Sequence, residues 1–277
     1  MSVLPDRVRL VIFDLDGVIY RGSEPVPGAP ELVDFLHRAR VAVRFATNNS
    51  MATRRQYVDR LAGMGIRTAE REIVTSTSAT IEHLRRHAPE VRTVLAVGAD
   101  GMEADLRQAN FEVTMAGDAA ASAGGRYDAV IVGLDPAVDY ARLSAAMAAV
   151  ASGARLIATN ADARYPTPAG FLPGAGAIVA ALATATGVEP EVIGKPAPAM
   201  FSATIEAARV PSADTVVVGD NPDADVAGAH RAGCAAILVL TGVADAPSVA
   251  LLEGERVPDA VAAGPDEVRE LLASRLS

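Results

Sequence analysis

The chain has 277 residues, half of them hydrophobic, which is enough to bury a sizeable core in one large domain or two moderate ones. Its formal net charge is −9 and its Arg residues are scattered, which excludes a basic surface for nucleic acid or anionic membrane. No apolar run approaches the roughly 20 residues of a membrane span, and residues 1–13 do not resemble a secretory signal, so we expect a cytoplasmic protein that acts on a small molecule.

The N-terminal part of the chain predicts the start of a parallel sheet. Residues 9–16, RLVIFDLD, form an apolar run that ends in two acids, as a buried parallel strand does when it delivers polar groups to the carboxyl edge of a sheet. A helix over 28–40, a strand over 41–49 and a helix over about 54–64 follow. This order predicts a doubly wound parallel sheet.

The pattern restarts between residues 80 and 182, over a length that suits a separate α/β unit. Strands are expected at 92–98, 111–116, 127–135 and 154–160, with helices at 100–109 and 139–152. Helices near 175–186 and 198–209 then lead to strands at 215–220 and 235–243. The simplest organisation is a core domain made of residues 1–79 and 183–277, with a second domain, 80–182, inserted in it.

The first candidate segment for chemistry follows the first strand. Asp14 and Asp16 are two residues apart, and Gly17 permits the positive φ that would turn both carboxylates toward one site. One acid could attack phosphorus while the other handles protons. The alternative is an Asp-Gly turn with solvated acids.

Two further segments offer groups that bind anions. Thr47, Asn48 and Asn49 follow the second strand with donors suited to phosphate oxygens, although Asn-rich turns are also common as plain turns. The chain contains 24 Arg but one Lys, Lys195, in the segment GKPAP ahead of a helix. A lone Lys favours a site that needs a compact ammonium, and a positive charge near a helix N-terminus is unfavourable unless an anion lies between them.

The fourth segment is GDNPDAD at residues 219–225, whose three acids suggest a hard cation held by oxygen. A calcium loop of the EF-hand type does not fit, because Pro222 and Ala224 would occupy ligand positions. Magnesium fits better, since it needs only one or two protein carboxylates. We expect Asp223 to be a solvated loop acid.

Together the four segments supply what phosphoryl transfer needs. At about 4 Å and an effective dielectric of about 20, each like-charge pair between a carboxylate and a phosphate costs about 4 kcal/mol, which a divalent cation and a Lys can offset. Positioning and charge neutralisation then provide most of the catalysis.

These segments, DLDGV, TNNS, GKP and GDNPDADV, resemble in sequence and order the four motifs of the haloacid dehalogenase superfamily, and the resemblance covers nearly the whole chain. The insert resembles the large α/β cap of the NagD-like group, which includes p-nitrophenyl phosphatases and sugar phosphatases. The resemblance implies a Rossmann-like core with an inserted α/β cap. It also implies a magnesium-dependent phosphatase for a small phosphorylated metabolite, such as a sugar phosphate, glycerol phosphate, a nucleotide or phosphoglycolate. A homodimer through the cap is expected because caps of this kind often contribute to dimers in relatives.

Carried over position by position, the resemblance implies that Asp14 is the nucleophile that forms an aspartyl-phosphate and that Asp16 is the general acid and then the general base. Mg²⁺ is expected on the Asp14 and Asp220 carboxylates and the Asp16 backbone carbonyl. The residues expected to bind the phosphate are Gly17, Thr47, Asn48, Asn49 and Lys195, and Lys195 also counts as catalytic. Asn221 and Asp225 are expected to support the site. Ala224 stands where many relatives have Thr, which puts one local hydrogen bond in doubt.

Several alternatives are weaker. A dehalogenase does not need Asp16, and a phosphonate hydrolase would look to a cap Lys that residues 80–182 lack. A phosphomutase or phosphotransferase keeps the four motifs but carries a smaller helical cap. A non-catalytic binding or regulatory homologue would usually have lost a nucleophile or metal ligand. His83 and His87 have metal-binding spacing, but the Arg residues between them predict a solvated helix face.

Overall fold

A computed structural model describes residues 4–122, 124–167 and 170–276 of the chain, which form two mainly parallel sheets with helices between their strands. The predicted α/β fold class is therefore confirmed. In chain order, the strands are β1 (Leu10–Phe13), β2 (Tyr20–Arg21), β3 (Glu24–Pro25), β4 (Ala42–Thr47), β5 (Ile73–Thr75), β6 (Thr93–Val97), β7 (Glu112–Met115), β8 (Ala129–Val132), β9 (Arg155–Ala158), β10 (Arg164–Thr167), β11 (Gly170–Pro173), β12 (Glu191–Val192), β13 (Thr215–Gly219), β14 (Ala235–Val239) and β15 (Ala260–Ala262).

The α-helices connect most successive strands. They are α1 (Ala29–Arg38), α2 (Arg54–Gly63), α3 (Ser76–His87), α4 (Asp100–Gln108), α5 (Ala119–Ser122), α6 (Tyr140–Ala151), α7 (Ala175–Thr186), α8 (Ala199–Ala208), α9 (Ala227–Arg231), α10 (Ala246–Val249) and α11 (Pro265–Ala273). A π-helical turn covers Pro222–Val226, just before α9. None of the helices that the structure describes has the length and apolar character needed to span a bilayer.

The chain divides into two compact units. The first consists of Met1–Thr47, Arg54–Val74 and Lys195–Ser277, and the second of Asn48–Thr53 and Thr75–Gly194. The domain assignment made from the sequence, with residues 80–182 as an inserted cap, stays a prediction.

The first unit contains a six-stranded sheet in the order β15-β14-β13-β1-β4-β5. β1 is buried along its whole length and pairs in parallel with β13 on one side and β4 on the other. The chain builds outward from β1 through β4 and β5, then crosses to β13 and builds outward again through β14 and β15. The connections therefore change direction between β1 and β13, and open α/β sheets bind ligands at such a switch point, beyond the carboxyl ends of the strands.

Strand register brings the sequence motifs to the same sheet edge. Phe13, the last residue of β1, lies beside Val218 of β13 and Phe45 of β4. The residues that follow these three positions, which include Asp14, Asp220 and Thr47, therefore emerge at neighbouring points of the carboxyl edge.

The second unit contains a five-stranded parallel sheet in the order β12-β9-β8-β6-β7. Its core is formed by aliphatic side chains of the sheet and of α6 and α7, such as Leu95, Val130 and Leu182. α3 begins with a capping box in which the Thr75 hydroxyl accepts a hydrogen bond from the Ser78 backbone at 3.0 Å.

Some elements were not predicted. The antiparallel hairpin of β10 and β11 has strands of four residues that contain proline, so it carries no clear alternation of apolar residues.

The expectation that His83 lies on a solvated face is wrong. Its Nε2 lies 2.6 Å from Glu191 Oε1 and its side chain is 17% exposed, because β12 supplies a carboxylate from a distant part of the sequence. His87 is exposed as expected.

Candidate active site

Asp14 occupies the point where β1 leaves the sheet. Its backbone N–H donates to Val218 O at 2.9 Å, so the strand pairing continues up to this residue. The carboxyl group is buried, and this desolvation, together with the nearby Asp225 and Asp220 carboxylates, raises the pKa of Asp14 well above its usual range although Lys195 opposes the shift. A buried carboxylate at this edge can remain ionised only with positive charge beside it.

Gly17 forms the turn that follows, with φ of 85° and its N–H donating to Tyr20 O at 2.8 Å. Asp16 is exposed at this turn, and the Tyr20 hydroxyl donates to its Oδ2 at 3.3 Å. The Arg60 guanidinium stacks on the Tyr20 ring, 3.8 Å from the ring centre. Although Asp16 keeps contact with solvent, partial desolvation raises its pKa, opposed by the charge of Arg60 and the Tyr20 hydrogen bond. A raised pKa suits a group that must donate a proton.

Lys195 lies between two carboxylates. Its Nζ donates to Asp14 Oδ1 at 2.5 Å and to Asp225 Oδ1 at 2.7 Å, and it also contacts Ala46 O at 3.3 Å. Its side chain is 4% exposed. Burial by itself lowers the pKa of Lys195, but the two carboxylates outweigh burial and raise it, so the ammonium is charged at neutral pH. The one Lys of the chain therefore lies at the site that the sequence indicated.

The π-helical turn positions the acids that follow β13. The Asn221 side-chain oxygen accepts hydrogen bonds from the backbone N–H groups of Asp223 and Ala224, at 2.9 and 3.2 Å. The Asn221 N–H donates to Asp225 Oδ2 at 3.1 Å, so this carboxylate is fixed on both sides. The Asp223 side chain is 78% exposed, as expected of a solvated loop acid.

Asp14, Asp220 and Asp225 present carboxylate oxygens that all lie within 4.8 Å of one another. Desolvation and the neighbouring Asp225 raise the pKa of Asp220 to about 7. Three carboxylates around a single ammonium leave an excess of negative charge in a buried site, which a cation would neutralise. The donors are all oxygens, so the residues fit Mg²⁺. The predicted contribution of the Asp16 carbonyl stays a prediction.

The residues at the end of β4 and just after it, which were predicted to bind phosphate, make contacts within the protein. Thr47 is buried at the end of the strand. The Asn48 side-chain amide donates to Asp162, at 3.1 and 3.0 Å from its two carboxylate oxygens, and the Asn48 carbonyl accepts from Asn160 Nδ2 at 2.7 Å. Asn49 Oδ1 accepts from the Met51 backbone at 2.9 Å, which is a turn-forming bond. The substrate roles of Asn48 and Asn49 stay predictions, because both side chains have protein partners here.

Reasoning from the sequence did not find Asp162 or Tyr20 as neighbours of the site residues. Asp162 lies in the stretch LIATNAD and Tyr20 in DGVIYRG, and the resemblance of both stretches to the superfamily is the signal in the sequence that could have indicated them. The contact of Asp162 with Asn48 joins residues 114 positions apart, which local sequence patterns do not reveal.

Comparison with known proteins agrees with this geometry. Residues 11–112 match the family model described as haloacid dehalogenase-like hydrolase, and residues 192–268 match a second, HAD-hydrolase-like model. The chain is 35% identical over 232 residues to an acid sugar phosphatase of Staphylococcus epidermidis, covering 84% of this chain and 86% of that protein. This chain belongs to the haloacid dehalogenase-like hydrolases. The 5'-nucleotidase YutF of Bacillus subtilis is 34% identical over 234 residues, covering 84% of this chain and 87% of that protein.

Solved structures similar to this chain include phosphatases. A hypothetical protein of Pyrococcus horikoshii has a TM-score of 0.88 at 36% identity, covering 95% of this chain and 99% of that one. A 4-nitrophenylphosphatase of Thermotoga maritima has a TM-score of 0.86 at 30% identity, covering 96% and 97%. A glycerol phosphate phosphatase of Mycobacterium tuberculosis in complex with magnesium has a TM-score of 0.84 at 30% identity, covering 100% and 79%. The predicted family and the phosphatase class are therefore confirmed.

Proposed function

We propose that this protein is a Mg²⁺-dependent phosphatase that hydrolyses a small organic phosphate monoester through an aspartyl-phosphate on Asp14. The observation that carries the proposal is the buried group in which Lys195 bridges Asp14 and Asp225 and the oxygens of Asp14, Asp220 and Asp225 converge. Such a group has a nucleophile, a fixed positive charge and a set of oxygen ligands within one small volume.

In the first step, an Asp14 carboxylate oxygen attacks phosphorus and the bond from phosphorus to the ester oxygen breaks. Asp16 donates its proton to the leaving oxygen, which departs as an alcohol. Lys195 holds Asp14 Oδ1 in place and offsets the repulsion between carboxylate and phosphate. Thr47, at the end of β4, is proposed as a hydrogen-bond donor to the phosphate.

In the second step, the Asp16 carboxylate removes a proton from water as the water oxygen bonds to phosphorus. The bond between phosphorus and Asp14 breaks, inorganic phosphate leaves, and both acids return to their starting states. Mg²⁺, held by Asp14, Asp220 and the Asp16 carbonyl with Asp225 in support, would neutralise charge on the phosphate and fix its orientation.

The substrate class follows from the relatives, whose names include an acid sugar phosphatase, a 5'-nucleotidase and a glycerol phosphate phosphatase. We propose a small phosphorylated metabolite of these types or phosphoglycolate. We further propose that the second unit is a substrate-selecting cap, that the protein forms a homodimer through this cap, and that it is cytoplasmic. Phosphate release across a panel of phosphorylated metabolites would identify the substrate, and size-exclusion chromatography with light scattering would give the oligomeric state.

Release of phosphate from p-nitrophenyl phosphate tests the activity. We expect release with Mg²⁺ and none after chelation, and Asp14→Asn should abolish turnover while leaving the fold intact, because an amide cannot act as the nucleophile. Asp223→Asn is the matched control, since this acid of the same site segment is largely exposed, and it should retain activity.

Near-normal turnover by Asp14→Asn would show that the nucleophile is wrong. If the wild-type protein released no phosphate from any substrate of the panel, a binding or regulatory homologue would be favoured. Conversion of one sugar phosphate into its isomer, without release of phosphate, would favour the phosphomutase.

A further inference from the structure

The loop that follows β14 contacts Asp220 at two points. The Val243 backbone N–H donates to Asp220 Oδ2 at 2.7 Å, and the Ala244 N–H donates to the Asp220 carbonyl at 3.0 Å. We call residues 241–244 the Asp220 loop. The loop donates a hydrogen bond to one of the two carboxylate oxygens of Asp220, which the proposed function assigns to Mg²⁺.

Two glycines lie close to the same oxygen. A Cβ at position 17 would lie 2.4 Å from Asp220 Oδ2, and a Cβ at position 242 would lie 1.8 Å from it. Gly17 has positive φ, so its backbone conformation already favours glycine. Gly242 is not among the described glycines with positive φ. The reason for a glycine at 242 is therefore the close approach of the Asp220 carboxylate.

The Asp220 loop is also tied to the turn that carries Asp16. The Thr241 hydroxyl donates to the Gly17 carbonyl at 2.6 Å, and Arg21 Nε donates to the Thr241 carbonyl. These bonds hold the loop and the Gly17 turn together beside Asp220 Oδ2. Because the Val243 hydrogen bond and the close approach of the two glycines all involve Oδ2, Oδ1 is the Asp220 oxygen that a cation would bind.

We propose that the Asp220 loop, through Gly242, Thr241 and the Val243 N–H, holds Asp220 as a ligand with one available oxygen and so favours Mg²⁺ over Ca²⁺. This inference rests on the proposed Mg²⁺ site. Mg²⁺ demands near-ideal octahedral geometry and binds few carboxylates, whereas Ca²⁺ accepts a carboxylate through both oxygens and tolerates irregular geometry. A loop that blocks the second oxygen therefore acts against the larger ion. Gly242 and Thr241 are positioning residues, because they act through Asp220.

Calorimetric titration of the metal-free protein with Mg²⁺ and with Ca²⁺ tests this inference. In Gly242→Ala, the new methyl group must displace either the loop or the carboxylate, and we expect the Mg²⁺ Kd to rise about 10- to 100-fold, as for other changes next to metal ligands. Ca²⁺ affinity should fall less, so the preference for Mg²⁺ should shrink. Gly63→Ala is the matched control, because a Cβ there meets no atom within 4 Å and φ is not positive, and it should bind both ions as the wild type does.

If Gly242→Ala does not fold, Thr241→Val decides the question. It removes the hydroxyl bond to Gly17 with little change in volume, and we expect it to raise the Mg²⁺ Kd about 2- to 10-fold, again more than that of Ca²⁺. A folded Gly242→Ala protein with wild-type Mg²⁺ affinity, or with equal losses for the two ions, would overturn the inference and leave the Mg²⁺ site standing. A wild-type protein that binds neither ion would overturn the Mg²⁺ site, and the inference with it.

Discussion

The two units contain parallel sheets of the same kind, but the strand ends carry different chemistry. In the first unit, β1 is followed by Asp14, and β13 by Asp220. In the second unit, β6 and β8 are each followed by glycine, Gly98 and Gly133. The architecture supplies an edge where strand ends gather, and the side chains at that edge decide whether chemistry takes place there.

Two groups of ion pairs, one in each unit, differ in how far they are buried. Lys195, Asp14 and Asp225 form ion pairs that are almost entirely buried. In the second unit, Arg155 and Glu191 pair at 2.7 Å with side chains 39% and 37% exposed. A buried charge that loses its partner is costly, whereas a half-exposed one is resolvated by water. Stability measurements should therefore distinguish sharply between these two groups of ion pairs.

The largest expected effect is that of Lys195→Met. It leaves the Asp14 and Asp225 carboxylates buried without their counter-ion, so we expect the metal-free protein to lose about 3–5 kcal/mol of unfolding free energy. Urea denaturation, followed by circular dichroism in the presence of a chelator, measures the loss. A change below about 1 kcal/mol would mean that the buried charges are not as closely coupled as their distances indicate.

Asp162→Ala should have the next largest effect. It removes a carboxylate that accepts the Asn48 amide at both oxygens, and hydrogen bonds to charged groups contribute about 1.5–3 kcal/mol. A double-mutant cycle with Asn48→Ala isolates this pair, because coupling appears as a departure from additivity. Strictly additive losses would contradict a direct interaction between the two side chains.

Asp128→Ala should cost about 1 kcal/mol near neutral pH, a value limited by the exposure of this residue. The backbone N–H groups of Thr93 and Arg92 and the Thr93 hydroxyl donate to Asp128 and lower its pKa. A carboxyl group whose pKa is lower in the folded protein stabilises the fold at pH values above its pKa in the unfolded chain, about 3.9. This stabilisation is lost as the pH falls through the pKa in the folded protein. The difference between variant and wild type should therefore shrink at strongly acidic pH in chemical denaturation. A difference independent of pH would exclude the ionised carboxylate as its source.

The smallest effect is expected of Arg155→Met, the half-exposed counterpart of Lys195→Met. Its pair with Glu191 is open to solvent, so we expect a loss of about 0.2–1 kcal/mol, and less at high salt. The same urea measurement at two salt concentrations provides the check. A loss as large as that of Lys195→Met would remove the contrast between the buried and the half-exposed ion pairs.

The sequence by itself determined the class of fold and the residues at the centre of the site. The strands before Asp14 and Asp220 are short apolar runs, and the strand-helix order is local information that hydrophobic periodicity carries. The sequence motifs around Asp14 and Asp220 predicted that these distant acids meet at one sheet edge, and the single Lys, Lys195, indicated the positive charge that accompanies them.

The tertiary structure decided which partner each polar group has. Asn48 donates to Asp162, His83 contacts Glu191, and the Val243 N–H donates to Asp220. The Val243 contact spans 23 residues and the other two span more than a hundred, so each depends on how strands and loops pack. Periodicity shows which face of an element is buried, but a hydrogen bond requires two groups to meet within about 3 Å, and only the folded chain fixes that distance.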